Sequence, residues 1–110
     1  PEALARLALA RFAPSKAELT LLRLGRALIV GVPGEPTSAV GRSLQEAARR
    51  KGFDPVVVAS HVGGWIGYLL TPDEYREGGY EATLAFHGPD LSRRLQEALD
   101  RGLQRMSQIR

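Results

Sequence analysis

An apolar run ends on a carboxylate in the segment ALIVGVPGE, residues 27–35. Because Ala27–Val32 carries no polar side chain, it predicts a strand that is buried on both faces. Pro33 and Gly34 end this strand, so Glu35 stands where the chain turns towards the next helix. A carboxylate at the carboxyl end of a buried strand projects into the crevice where α/β proteins bind ligands. The alternative interpretation is that Glu35 only stabilises the N-terminus of the next helix through the helix dipole.

The patterns on either side of this segment predict a mixed α/β fold. Residues 2–12 have helical spacing, residues 18–24 favour a strand, and Gly25-Arg26 fits a two-residue hairpin turn. The elements that follow are a helix capped by Thr37 or Ser38 with a stop at Gly52, a strand over 55–60, a short helix with a capping box formed by Thr71 and Glu74, an extended segment over 81–86, and a helix with leucines at 91, 95, 99 and 103. The predicted order is α-β-β-α-β-α-β-α, a mixed sheet with packed helices in one unit over residues 1–110.

Composition limits the classes of function. The 15 basic and 12 acidic residues give a net charge of +3, but the arginines are scattered along predicted helices, so we expect no nucleic-acid partner. The positive charge is compatible with peripheral contact at an anionic membrane surface. The absence of cysteine excludes disulfides, thiolate zinc sites and cysteine nucleophiles. No apolar run approaches the ~18 residues of a membrane span, so we expect no transmembrane segment and leave a secreted or a cytoplasmic location open.

Two aromatic segments are the next candidates for chemistry, GWIGYLLTPDEY at residues 64–75 and GGYEATLAFHGP at residues 78–89. The ordinary interpretation of Tyr68 is a half-buried tyrosine with its hydroxyl at the surface. A phenol has a pKa near 10, so it becomes a metal ligand only beside a dication. His61 and His87 are the only histidines and lie in no ligand-spaced cluster, so we expect each to be a packed or surface histidine.

The motifs PGE, GYLLTPDEY and GGYEATLAFHGP, in this order, resemble the C-terminal part of the catalytic domain of the neutral/alkaline ceramidase family. The resemblance covers roughly residues 22–103. It implies that the chain is the C-terminal portion of a larger two-layer or three-layer α/β hydrolytic domain. It departs from the family pattern at Gly63, where many relatives carry asparagine.

The resemblance also implies roles for three residues. Glu35 and Tyr68 take the places of two ligands of a Zn²⁺ ion, and two histidine ligands are expected outside this chain. Tyr80 takes the place of a catalytic tyrosine whose hydroxyl faces the reacting carbonyl. The implied activity is that of a zinc-dependent amidase, in which metal-activated water hydrolyses the N-acyl amide of ceramide or a related lipid amide.

The implied partners are this lipid amide substrate and the upstream remainder of the catalytic domain, in the same polypeptide or as a partner chain. With only two of the four ligands, this chain alone is expected to bind zinc weakly and to be inactive. The alternative hypothesis is a small non-catalytic α/β module for binding or assembly that retains the family scaffold.

Overall fold

A computed structural model describes residues 3–4 and 15–108. The first predicted helix, over residues 2–12, lies outside the described residues except for the helical residues 3–4. The remaining elements are β1 (Thr20–Leu24), β2 (Ala27–Gly31), β3 (Glu35–Pro36), α1 (Ser38–Arg50), β4 (Val56–Ala59), β5 (Tyr68–Leu69), α2 (Pro72–Glu77), α3 (Tyr80–Thr83) and α4 (Leu91–Gln108). The predicted α/β class with a mixed sheet is confirmed.

The larger sheet has the strand order β1-β2-β4. β1 and β2 are antiparallel and meet at the pair Leu24 and Ala27, with Gly25 at φ 63° in the turn between them. Only Gly25 and Arg26 lie between this pair, which confirms the predicted two-residue hairpin. Glycine adopts such a positive φ without steric cost. β2 and β4 are parallel. The chain segments that follow β2 and β4 therefore leave the sheet at the same edge.

One face of this sheet is covered by α1 and α4. The predicted apolar faces of both helices are confirmed, and their buried members are Val40, Leu44, Ala47 and Ala48 of α1 and Leu91, Leu95, Leu99 and Leu103 of α4. These side chains form a single core with Leu28, Val30 and Val56 of the sheet. None of the helices in the described part of the chain is long and apolar enough to cross a membrane.

The prediction that the second strand is buried on both faces is wrong for one face. Leu28 and Val30 point to the helices and are fully buried, whereas Ile29 on the opposite face is only half-buried. The physical reason is that the described helices pack on one side of the sheet only. An apolar run predicts that both faces of a strand are buried, but it does not identify which element covers each face.

The helix caps predicted from the sequence are confirmed. Thr37 caps α1 by accepting a hydrogen bond from the Val40 amide, and Thr71 and Glu74 form the capping box of α2. Glu74 Oε2 also accepts a hydrogen bond of 2.8 Å from Thr37 Oγ1. One carboxylate thus joins the N-termini of both helices, which directly follow β3 and β5.

The predicted extended segment over 81–86 is wrong, because Tyr80–Thr83 forms the short helix α3. The Thr83 amide and Thr83 Oγ1 both donate to the Gly79 carbonyl, at 3.3 and 3.0 Å, and the Leu84 amide donates to the Glu81 carbonyl. These local bonds satisfy the backbone within one turn. Short segments that combine alanine with threonine and phenylalanine lack a clear period, so tertiary context decides their structure.

Candidate active site

The two-residue strands β3 and β5 bring the first two candidate residues together. They pair in parallel with Glu35 beside Tyr68, and the Glu35 amide donates to the Gly67 carbonyl at 3.0 Å. Neighbouring strands lie about 4.8 Å apart, so side chains paired in this way stand next to each other. Glu35 and Tyr68, which the resemblance assigns to a metal, therefore lie side by side on neighbouring strands.

The loop 60–67 is fixed to the segment before Glu35 by backbone hydrogen bonds. The amides of His61, Val62 and Ile66 donate to the carbonyls of Gly34, Val32 and Pro33, at 3.0, 2.9 and 2.7 Å. The glycine at 34 is required here, since a Cβ would lie 2.6 Å from the Gly67 carbonyl oxygen. Gly67 is more constrained still, with φ +99° and only 2.3 Å between a hypothetical Cβ and the Leu84 carbonyl oxygen. Gly34 thus permits the close approach of β3 to β5, and Gly67 permits the close approach of β5 to the segment that follows α3.

Both oxygens of the Glu35 carboxylate have partners. Trp65 Nε1 donates to Oε2 at 3.0 Å, and His61 Nε2 lies 3.2 Å from Oε1. The Trp65 N–H holds the pKa of the Glu35 carboxyl below its usual value against an opposing effect of burial, and His61 and a hydrogen bond from Tyr68 act in the same direction as Trp65. Glu35 is therefore a carboxylate anion at neutral pH, which is the form that binds a cation.

Tyr68 and Tyr80 meet ring to ring. Their centroids are 6.0 Å apart and the rings are inclined by 72°, an edge-to-face contact. Tyr68 is half-buried, whereas the side chain of Tyr80 is 68% exposed. Burial raises the pKa of the Tyr68 phenol, and the nearby Glu35 charge raises it further. The Tyr68 hydroxyl keeps its proton at neutral pH unless a cation displaces it.

The structure thus gathers Glu35, Tyr68 and Tyr80 in one place, and it adds His61 and Trp65, which sequence reasoning missed as site residues. A signal for His61 was present in the topology, since His61 follows β4 just as Glu35 follows β2, and these strands are parallel neighbours. His87 lines another cavity, with Pro33, Ile66 and Leu91, whose lining includes none of the three candidates.

The donors at this site fit a zinc ion. Carboxylate oxygen and imidazole nitrogen are common zinc ligands, and a phenol joins them once a dication has lowered its pKa. No group of three His, Cys, Asp or Glu side chains is placed for a metal within residues 3–4 and 15–108. The second oxygen donor, beside the Glu35 carboxylate, is the Tyr68 phenol. The described residues would hold zinc through Glu35 and Tyr68, with His61 beside them.

Comparison with known proteins decides the family. A family model described as neutral/alkaline non-lysosomal ceramidase, N-terminal, matches residues 5–97. The chain belongs to this ceramidase family. Among relatives, neutral ceramidase 1 of Arabidopsis thaliana is 35% identical over 97 residues, and the neutral ceramidase of Mycobacterium tuberculosis is 37% identical over 71 residues. The family expected from the motifs is confirmed.

The ceramidase fold is also shared in three dimensions. The crystal structure of neutral ceramidase from Pseudomonas aeruginosa superposes with a TM-score of 0.64 and 25% sequence identity, over 74% of this chain and 14% of that chain. The alignments cover 78% of this chain but 12% of the Arabidopsis relative, and 62% of this chain but 11% of the mycobacterial one. The chain therefore corresponds to a small part of a ceramidase.

Proposed function

We propose that this chain is part of a zinc-dependent amidase that hydrolyses the N-acyl amide of ceramide or of a related lipid amide. The observation that carries the proposal is the pairing of Glu35 with Tyr68 across β3 and β5. Both residues stand in family motifs, in a chain whose relatives are named neutral ceramidases. Two histidines from the remainder of the catalytic domain would complete the ligand set.

Each of the three residues has a distinct task in this proposal. Glu35 supplies a negative charge to the cation, and the Trp65 N–H keeps that carboxylate oriented. Tyr68 supplies a second oxygen donor. Zinc, when bound, acts as a Lewis acid that polarises an amide carbonyl and makes water more acidic. Tyr80 presents an exposed phenol beside Tyr68, where its O–H can donate to the carbonyl oxygen as negative charge develops there.

The surroundings of the site suit an amide with an apolar chain. Trp65 is 40% exposed and packs edge-to-face on Phe86, with ring centroids 5.7 Å apart. Together with Tyr80 it offers apolar ring surface beside the Glu35 carboxylate. Exposed aromatic surface next to a polar centre is typical of a site that takes an amphipathic ligand.

Metal removal tests this function in a protein that joins the chain to the rest of a ceramidase catalytic domain. A chelator is expected to abolish release of fatty acid from N-acylsphingosine, and Zn²⁺ is expected to restore it. Mg²⁺ serves as the control, because it prefers octahedral oxygen coordination and should not restore turnover. Full turnover in protein shown to be metal-free would contradict the zinc mechanism.

We further propose that the remainder of the catalytic domain packs against the uncovered face of the β1-β2-β4 sheet. Leu22, Ile29 and Val57 form one row across this face, because Leu22 pairs with Ile29 and Ile29 with Val57. Leu22 and Val57, on either side of Ile29 in this row, are 50% and 52% exposed, and a row of aliphatic side chains with this exposure marks a surface for another protein segment. A chain that spans about an eighth of its relatives leaves enough polypeptide elsewhere to cover this row.

The variant Val57→Lys tests whether this face of the sheet is covered or exposed to solvent. In the isolated chain, Val57→Lys should change the free energy of unfolding by less than about 0.5 kcal/mol. In the joined domain it should destabilise by about 1.5 kcal/mol or more, because the side chain is then buried. Denaturant unfolding of both forms measures the difference, and Gln104→Lys, on the exposed side of α4, is the control. Equal small effects in both forms would show that nothing covers this face.

A further inference from the structure

The two short strands that carry Glu35 and Tyr68 are joined by few backbone hydrogen bonds. The Glu35 amide donates to the Gly67 carbonyl at 3.0 Å. The Thr37 amide, directly after β3, donates to the Leu69 carbonyl at 3.1 Å. A pair of strands as short as this has little stability of its own, because it contains too few bonds and too little packed surface. The position of Glu35 beside Tyr68 therefore depends on what holds the two ends of the pair.

The two ends of this strand pair are held in different ways. Where β3 and β5 begin, backbone hydrogen bonds fix the loop 60–67 to residues 32–34. Where the strands end, the link is a side chain. Glu74 Oε2 accepts hydrogen bonds from Thr37 Oγ1 at 2.8 Å and from the Thr71 amide at 2.9 Å. Because Thr37 directly follows β3 and Thr71 comes two residues after β5, one carboxylate oxygen joins the chain beyond both strands.

The Glu74 carboxylate is itself fixed in place. The Glu74 amide donates to Thr71 Oγ1 at 3.2 Å, so Glu74 is bonded to Thr71 through its backbone and through its side chain. Thr37 Oγ1 accepts from the Val40 amide at 3.4 Å, which directs its O–H towards Glu74. Thr37, Thr71 and Glu74 are each half-buried, so water competes with these bonds less than it does at an exposed site.

We propose that Glu74 is a positioning residue for the hydrolysis, because its bond to Thr37 holds β3 against β5 and so keeps Glu35 and Tyr68 side by side. The inference rests on the proposed function, since it concerns the alignment of the two groups on which that function depends. In this role Glu74 acts only through other residues. A misplacement of about 1 Å in a reacting group can lower a rate about 100-fold, so a loosened strand pair is enough to impair turnover.

Five variants distinguish this bond from the ordinary capping of the two helices. Glu74→Ala and Thr37→Ala each remove the bond between Thr37 and Glu74. Glu74→Gln and Thr37→Ser keep it, because an amide oxygen accepts the same hydrogen bonds and serine retains the hydroxyl. Thr71→Ala is the matched control. It removes the hydroxyl that caps α2 and leaves the bond between Thr37 and Glu74 in place.

The first measurement is amide hydrogen exchange by NMR in the 110-residue chain, which requires neither metal nor substrate. Glu74→Ala and Thr37→Ala should each speed exchange at the Glu35 amide by at least about tenfold, because the strand pair opens locally. Exchange at the amides of Leu28 and Val32, which bond to the β4 side of the larger sheet, should change less than about twofold. A general loss of stability would instead speed exchange at all three amides. The double variant should exchange no faster at Glu35 than either single variant, since both changes break the same bond.

The second measurement is turnover of N-acylsphingosine by the protein that joins this chain to the rest of the catalytic domain. Glu74→Ala should lower kcat about 10- to 100-fold, the range found for the loss of an outer contact, with KM within about threefold of the wild type. Glu74→Gln should restore most of this loss, because it restores the bond to Thr37. Thr71→Ala should lower kcat less than about threefold, since the strand pair stays closed.

Either measurement can overturn the inference. Unchanged exchange at the Glu35 amide in Glu74→Ala would show that Glu74 does not hold the strands together. Faster exchange with full turnover would show that this bond does not serve the reaction, and equal losses in Thr71→Ala and Glu74→Ala would assign the effect to the capping of α2. If the wild-type joined domain hydrolyses no lipid amide in the presence of Zn²⁺, the proposed function fails and so does the role of Glu74 in it. The exchange result would still decide whether the carboxylate holds β3 against β5.

Discussion

Glu35→Gln is expected to lower zinc affinity and turnover together, each by at least about 100-fold, in a protein that joins this chain to the rest of the catalytic domain. The amide keeps the size of the side chain and can still accept a hydrogen bond from Trp65. It removes the negative charge that offsets the dication. Metal content and hydrolysis of an N-acyl lipid amide should be measured on the same samples, because the prediction concerns their proportion.

Glu46→Gln is the matched control for this change. Glu46 lies on the exposed side of α1, so its replacement should leave both zinc content and turnover unchanged. If Glu35→Gln retained full metal and full turnover, Glu35 would be no more than an acid at the start of a helix. A fall in turnover with full zinc content would place Glu35 in the reaction and outside the ligand set.

Replacements of the two tyrosines are expected to have different effects in the same assay, although the two rings are in contact. Tyr68→Phe should lower zinc occupancy, because it deletes an oxygen donor and leaves an apolar ring edge beside the cation. Tyr80→Phe should retain zinc and lower kcat on the order of 10²-fold with little change in KM. The reason is that the Tyr80 hydroxyl is needed only when charge develops on the carbonyl oxygen.

Tyr75→Phe is the control for both, since Tyr75 belongs to α2, packs like Tyr68 against the small apolar cluster of Leu70, Ala82 and Ala85, and keeps its ring in this variant. It should retain zinc and turnover. Loss of metal in Tyr80→Phe with full metal in Tyr68→Phe would reverse the two assignments. If neither replacement affected metal or turnover, the reactive centre would lie outside this stretch.

The local features of the chain could be predicted from its residues because they depend on neighbours in sequence. The buried face of α1, the leucines of α4, the hairpin at Gly25 and the capping box at Thr71 all agree with the structure. Glu35 was a candidate because an apolar strand ends beside it, and Tyr68 and Tyr80 were candidates because their motifs resemble those of a family. In each case the signal lies within a few residues of the position predicted.

The contacts that make a site depend instead on how strands associate. Glu35 meets Tyr68 because two short strands pair in parallel, and it meets His61 because β2 and β4 end at one edge of the sheet. Neither pairing leaves a periodic mark in the sequence, so the sequence predicts a packed or surface histidine at position 61 but does not place it beside Glu35. Residue patterns alone predicted the hairpin, the strand β4, the helices α1, α2 and α4 with their buried faces or caps, and the family. Which polar side chains meet, and which sheet face the described helices leave open, became visible only in three dimensions. Both follow from strand pairing over long sequence separations and from the packing of α1 and α4 on one side of the sheet.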